Sequence, residues 1–128
     1  MQTTGLNHVV MTVSDVVRAK AFYGDLLGFD VNVMEDDPDQ SFYFAVGDLY
    51  FFFFPSRKPV EGDRFSEFRI GLDHFSFNAP SREALDEFAE RLLAAGVDTQ
   101  GVEQFAPTGN YYVAFRDPDN IQLEYWLP

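Results

Sequence analysis

The tetrapeptide Gly5-Leu6-Asn7-His8 returns as Gly71-Leu72-Asp73-His74, an offset of 66 residues in a chain of 128. Self-similarity at about half the length indicates one supersecondary unit used twice. Each copy is followed by an alternating, strand-like stretch, then a serine (Ser14, Ser81), then a helical pattern that closes on a glycine. In the first unit Ser14 is read as the N-cap, with Val16, Ala19, Phe22, Tyr23, Leu26 and Leu27 on one helical stripe before Gly28. In the second, Ser81 caps a helix whose Leu85, Phe88, Leu92 and Leu93 follow the same period, and Gly96 stops it.

Strand-like runs follow each helix, near residues 29–35, 41–46 and 49–55 in the first unit and near 102–105, 111–115 and 121–127 in the second. Each unit therefore reads β-α-β-β-β, and the expected fold class is α+β, built from two βαβββ modules. The expected organisation is a single domain, residues 1–128, made of repeats 1–55 and 71–128 joined by a loop, 56–70. That loop is rich in Pro, Gly and charge, and is read as a linker able to cover a pocket.

Composition narrows the function. Hydrophobic residues make up 46% and charged residues 23%, enough apolar material for a core. Aromatics reach 17%, with fifteen Phe, which suits pleated strands and pocket walls. Nine basic residues against 21 acidic ones leave a net charge of −12, which repels nucleic-acid phosphates and anionic lipid. With no cysteine, disulfides, thiolate metal sites and a catalytic thiol are excluded, so any metal must be held by His, Asp or Glu. No secretory leader pattern and no run near the ~18 apolar residues of a membrane span is present, so a soluble cytoplasmic protein is expected.

Strand parity sorts the candidate site residues, because residues two apart share a face. His8 shares its side with Leu6, Val10 and Thr12, while Val9, Met11 and Val13 point at the helix. His74 shares its side with Leu72, Ser76 and Asn78, while Phe75, Phe77 and Ala79 take the other. The histidine side reads as a pocket lining. Near the C-terminus Asp117-Pro118-Asp119-Asn120 reads as a tight turn leading into the strand that carries Glu124. Glu124 lies between Leu123 and Tyr125, where an unpaired carboxylate costs several kcal/mol, roughly, unless it meets a cation or a donor. Aligning the units on Pro55 and Pro128 sets Phe51 opposite Glu124. Of the run Phe51 to Phe54, the pair Phe51 and Phe53 is read as the one able to line a cleft.

The paired Gly-Leu-x-His openings, the helix exit Phe22-Tyr23-x-x-Leu26-Leu27-Gly28-Phe29 and the Asp117-Pro118-Asp119 turn seven residues before Glu124 resemble the vicinal oxygen chelate superfamily. That family groups glyoxalase, bleomycin-resistance and extradiol-dioxygenase proteins. The resemblance covers nearly the whole chain. It implies curled mixed sheets around a cleft, one divalent metal ion per site, a small-molecule substrate and a homodimer whose cleft is often shared between two chains. Carried over by position, His8, His74 and Glu124 match the metal ligands. Two imidazoles and a carboxylate suit Fe or Mn and are also usable by Zn or Ni. Ser76, Asn78, Gln122 and Trp126 share faces with these ligands and are substrate-binding candidates, together with Phe51 and Phe53.

The implied activity is that of a metal-dependent enzyme chelating a small oxygenated substrate through vicinal oxygens, with lyase, isomerase and dioxygenase chemistry all open. Glyoxalase I enzymes bring a second carboxylate where Phe51 stands, and extradiol dioxygenases add a later histidine and a Tyr at the position of Ala114. No general base can be named. The alternative is a bleomycin-resistance-like binder that sequesters an aromatic or cationic small molecule, which suits the acidic, aromatic composition. For the ligands themselves the bland alternatives are histidines bonded to backbone and a Glu124 paired with Arg116 or Arg69 or lying at a sheet edge in water.

Overall fold

The computed structural model describes residues 2–128, and the chain divides into two compact units, one ending at Asp63 and the other running from Arg64 to Pro128. Each unit is a βαβββ module. The first contains β1 (His8–Val13), α1 (Val16–Lys20) continuing into a π-helical turn (Ala21–Leu26), β2 (Asn32–Val33), β3 (Phe42–Val46) and β4 (Leu49–Pro55). The second contains β5 (His74–Asn78), α2 (Arg82–Ala94), β6 (Thr99–Phe105), β7 (Asn110–Arg116) and β8 (Gln122–Leu127). Their sheets share one open, mixed topology, β1-β4-β3-β2 and β5-β8-β7-β6, with the first and last strands of each module parallel and the rest antiparallel.

In the first module the cap is Asp15, not Ser14. The Asp15 side chain accepts from the Arg18 amide at 2.9 Å, whereas Ser14 Oγ accepts from the Arg18 guanidinium at 2.9 Å. A carboxylate at the first turn meets both the free amide and the positive end of the helix dipole, so it displaces the hydroxyl. The π-helical turn is marked by the Leu27 amide bonding the Phe22 carbonyl at 3.0 Å, and both adjacent rings, Phe22 and Tyr23, are buried behind it. Gly28, at φ +85°, then lets the Phe29 amide fold back to the Tyr23 carbonyl. The core is aromatic: Tyr23 packs on Phe53 at 4.4 Å, Phe42 stacks on Phe53 at 4.5 Å and Phe44 on Phe51 at 5.1 Å.

In the second module Ser81 caps α2 as read from the sequence, accepting from the Ala84 amide at 3.2 Å. Leu85, Phe88, Ala89 and Leu92 face Val113, Phe115 and Leu123 in the core. Leu93 is exposed, since in an i, i+3, i+4, i+7 stripe the i+8 position has rotated to the rim. The strand expected near residues 29–35 shrinks to Asn32–Val33, and β6 starts earlier than read, at Thr99.

A candidate metal and substrate face

The two histidines occupy matching places at the start of β1 and β5. Each ring is held through Nδ1 by the residue before it: Asn7 Oδ1 lies 2.7 Å from His8 Nδ1, and Asp73 Oδ1 lies 2.6 Å from His74 Nδ1. An amide oxygen or a carboxylate can only accept, so Nδ1 carries the proton in both rings. In the neutral ring the Nε2 lone pair is then free to act as a ligand. Oriented imidazoles with a polar partner behind them are the usual arrangement of metal-binding histidines. Within the repeat Asn7 and Asp73 are marked by position alone. Their role depends on a side chain bending back onto its neighbour, which spacing does not show.

In the second module His74 pairs with Gln122 and Ser76 with Glu124 across the parallel β5–β8 ladder, so all four lie on one face. His74 Nε2 comes 3.4 Å from Glu124 Oε2. With the proton on Nδ1, that contact sets two lone-pair donors against each other, and a proton or a cation must lie between them. Of the bland alternatives, the ion pair with Arg116 is absent. Its guanidinium grips Glu67, with Nη1 to Oε2 at 3.0 Å. That hydrogen bond holds the Glu67 carboxyl below the usual glutamate range and raises Arg116. Glu124 has only 13% of its side chain exposed, so it is not a water-facing edge residue either.

Ser76 and Asn78 are exposed on this face, and Trp126 stacks on Tyr112 at 5.5 Å with Phe105 edge-on at 5.6 Å. The Tyr112 phenol is pushed up by burial and then by the Glu103 and Glu124 carboxylates. Among the described residues no three His, Asp or Glu side chains cluster as metal ligands do. The second module brings together a histidine and a carboxylate, and the first prepares His8 in the same manner.

Phe51 and Phe53 do not join the pocket face. They are 3% and 0% exposed, packed in the core of the first module. The cause is register. His8 pairs with Tyr50 and His74 with Gln122, so Phe52, not Phe51, stands in the place of Glu124. The terminal prolines are not equivalent, because Pro55 ends β4 inside the ladder while Pro128 lies beyond β8, so a match made on them misses the register by one residue. A shift of one residue moves a side chain to the other face. The first module accordingly presents the rings of Tyr50, Phe52 and Phe54 beside His8. With Val10, Met34 and Asn7 they line an open hollow of about 470 Å³. His8 meets Phe52 edge-on at 5.8 Å.

Twin βαβββ modules with a histidine opening each first strand define a class of duplicated α+β fold. The chain belongs to the Glyoxalase/Bleomycin resistance protein/Dioxygenase superfamily, whose family model matches residues 5–125. It is 31% identical over 121 residues to the metallothiol transferase FosB of Shouchella clausii (strain KSM-K16), covering 94% of this chain and 77% of that protein. It is 29% identical over 130 residues to YwkD of Bacillus subtilis (strain 168), covering 97% of each chain. Among solved structures, a glyoxylase/bleomycin resistance protein/dioxygenase domain from Frankia sp. EAN1pec matches with a TM-score of 0.78 and 30% identity, over 98% of each chain. No helix among the described residues is long and apolar enough to cross a membrane.

Proposed function

We propose that the protein is a metal-dependent enzyme that chelates a small oxygenated substrate through vicinal oxygens, with His8, His74 and Glu124 as ligands of one divalent ion, Fe, Mn, Zn or Ni. The observation that carries this is the 3.4 Å approach of His74 Nε2 to Glu124 Oε2 with Nδ1 tied to Asp73, a pair of donor atoms that a proton or a cation would complete. His8, tied in the same way to Asn7, supplies the third ligand, from the same chain or from a second copy in a homodimer. In this reading the repeats 1–55 and 71–128 work as one domain in the cytoplasm.

A bound divalent ion would polarise a substrate carbonyl or stabilise an enolate. The chain's own residues supply the rest. Asp73 and Asn7 keep the rings turned so that Nε2 faces outward. Ser76, Asn78 and Gln122 offer hydrogen bonds to substrate oxygens, and Trp126 gives a flat apolar edge. The metallothiol transferase named among the relatives supports a metal and adds thiol transfer to the lyase, isomerase and dioxygenase chemistries. The test is elemental analysis of protein loaded separately with each of the four ions. Wild type should hold about one equivalent per site, and Glu124→Ala should lose at least tenfold in affinity with its circular dichroism unchanged. Metal content that Glu124→Ala leaves intact would sink the assignment.

The second reading, a binding protein for an aromatic or cationic molecule, is favoured by the ring-lined hollow of the first module. Tight binding of an aromatic cation by metal-free protein, without turnover, would support it.

A further inference from the structure

We infer that Glu67 is a positioning residue for His74: by occupying the Arg116 guanidinium it leaves the Asp73 carboxylate free to hold the imidazole Nδ1. The bearing of this on function rests on the reading of His74 as a ligand. All four residues belong to the second unit. Arg116 pairs with Gln122 across β7–β8, and Gln122 pairs with His74 across β8–β5, so the three form one row on one face. Neighbouring strands lie about 4.8 Å apart, which sets Arg116 roughly 10 Å from His74 along that row, a gap that a long arginine side chain largely bridges. The guanidinium grips Glu67 through both terminal nitrogens, Nη1 to Oε2 at 3.0 Å and Nη2 to Oε1. Glu67 is placed for this by its own segment. The Phe65 amide donates to the Asp119 carbonyl at 3.0 Å, and Asn120 Nδ2 donates to the Phe65 carbonyl at 2.8 Å.

Strength decides which carboxylate Arg116 takes. Asp73 holds His74 by a single hydrogen bond of 2.6 Å in the open, with 65% of the Asp73 side chain exposed. A forked guanidinium–carboxylate pair brings two bonds and opposite charges together, and is the stronger partner. An unoccupied Arg116 would therefore draw Asp73 off the ring. Arg116 is raised first by its hydrogen bond to Glu67, against the opposing effect of burial, and then by the charges of Glu67, Asp98 and Asp73. Asp98, whose carbonyl accepts the Arg116 amide at 3.1 Å, is the competing claimant on the β6 side. In the first module the matching row runs His8, Tyr50, Ala45, and the residue before His8 is the neutral Asn7. That row holds neither a carboxylate to be captured nor a guanidinium to capture it. Where the duplicated unit carries an acid behind its histidine, it also carries the cation and the second acid that occupies it.

The test reads the imidazole tautomers of the metal-free full chain by long-range proton–nitrogen correlation NMR at about pH 8.5, roughly two units above the ordinary histidine value, where the rings are neutral. In wild type both rings should carry the proton on Nδ1. Glu67→Gln, which keeps the side-chain volume, should shift the His74 tautomer ratio at least threefold toward Nε2 protonation and leave His8 unchanged. Glu67→Gln combined with Arg116→Gln breaks the same ion pair but leaves no free guanidinium, and should return His74 to its wild-type tautomer. A pair that merely braced the sheet would leave the double variant no better than the single. A wild-type His74 protonated on Nε2, a His74 unmoved by Glu67→Gln, a shift that persists in the double variant, or one shared by His8 would each overturn the inference. Zinc titration of the same three proteins separates it from the metal reading. Binding about tenfold weaker in Glu67→Gln and recovered in the double variant supports both. A tautomer that moves while zinc affinity stays put upholds this inference and defeats His74 as a ligand. Zinc affinity that falls with the tautomer unmoved defeats this inference alone.

Discussion

A histidine whose Nδ1 is committed to a carboxylate and whose Nε2 faces a second carboxylate is an electrostatic half-sentence, completed only by positive charge. His74 is in that position, between Asp73 and Glu124. His8 has the orienting partner, Asn7, but meets the edge of Phe52 where His74 meets Glu124. At the place facing Nε2 the modules differ by Phe52 against Glu124, while Asn7 and Tyr50 stand where the second module has Asp73 and Gln122. Phe52→Glu should convert the first module into a second histidine–carboxylate pair. Added carboxylate charge beside an oriented imidazole should raise metal affinity, measurable by titration with the ion. Unaltered metal affinity would show that the two modules do not place these positions equivalently.

Among the elements, the first helix shows how local chemistry decides a boundary. Ser14 and Asp15 are both acceptable caps by residue type, and the carboxylate takes the amide of Arg18. Asp15→Ala should therefore cost about 1 kcal/mol in urea unfolding, and Ser14→Ala only a few tenths. Equal losses would mean the hydroxyl shares the cap. In β4 the alternation is complete in both senses: Phe51 and Phe53 build the core, while Tyr50, Phe52 and Phe54 line the open hollow beside His8. A run of four phenylalanines carries no parity signal of its own, because every position is apolar. Only its ladder partner says which ring faces inward.

Over the whole molecule, the connecting segment proves partly tied down. Residues 57–64 are exposed, but the Phe65 amide donates to the Asp119 carbonyl and the Phe65 carbonyl accepts from Asn120 Nδ2, both in the turn after β7, and Glu67 grips Arg116. Glu67 has a folded-state pKa below its unfolded value, so its contribution to stability is fully present above roughly pH 4.3 and is lost as pH falls through the depressed value. Glu67→Gln should accordingly lower the urea midpoint at pH 7 and converge on wild type in acid. A gap that persists at pH 3 would argue that the pair is not the cause. The sequence by itself determined the duplication, the β-α-β-β-β order, the Ser81 cap, the left-handed Asn120 that closes the Asp117 turn, and a Glu124 in need of a partner, since each is written in spacing or residue type. Only the tertiary structure decided that His74 is the near neighbour of Glu124, that Arg116 is taken by Glu67, and that Phe52 rather than Phe51 fills the matching place. Those facts depend on strand register and on contacts between residues some fifty positions apart, which local periodicity cannot encode.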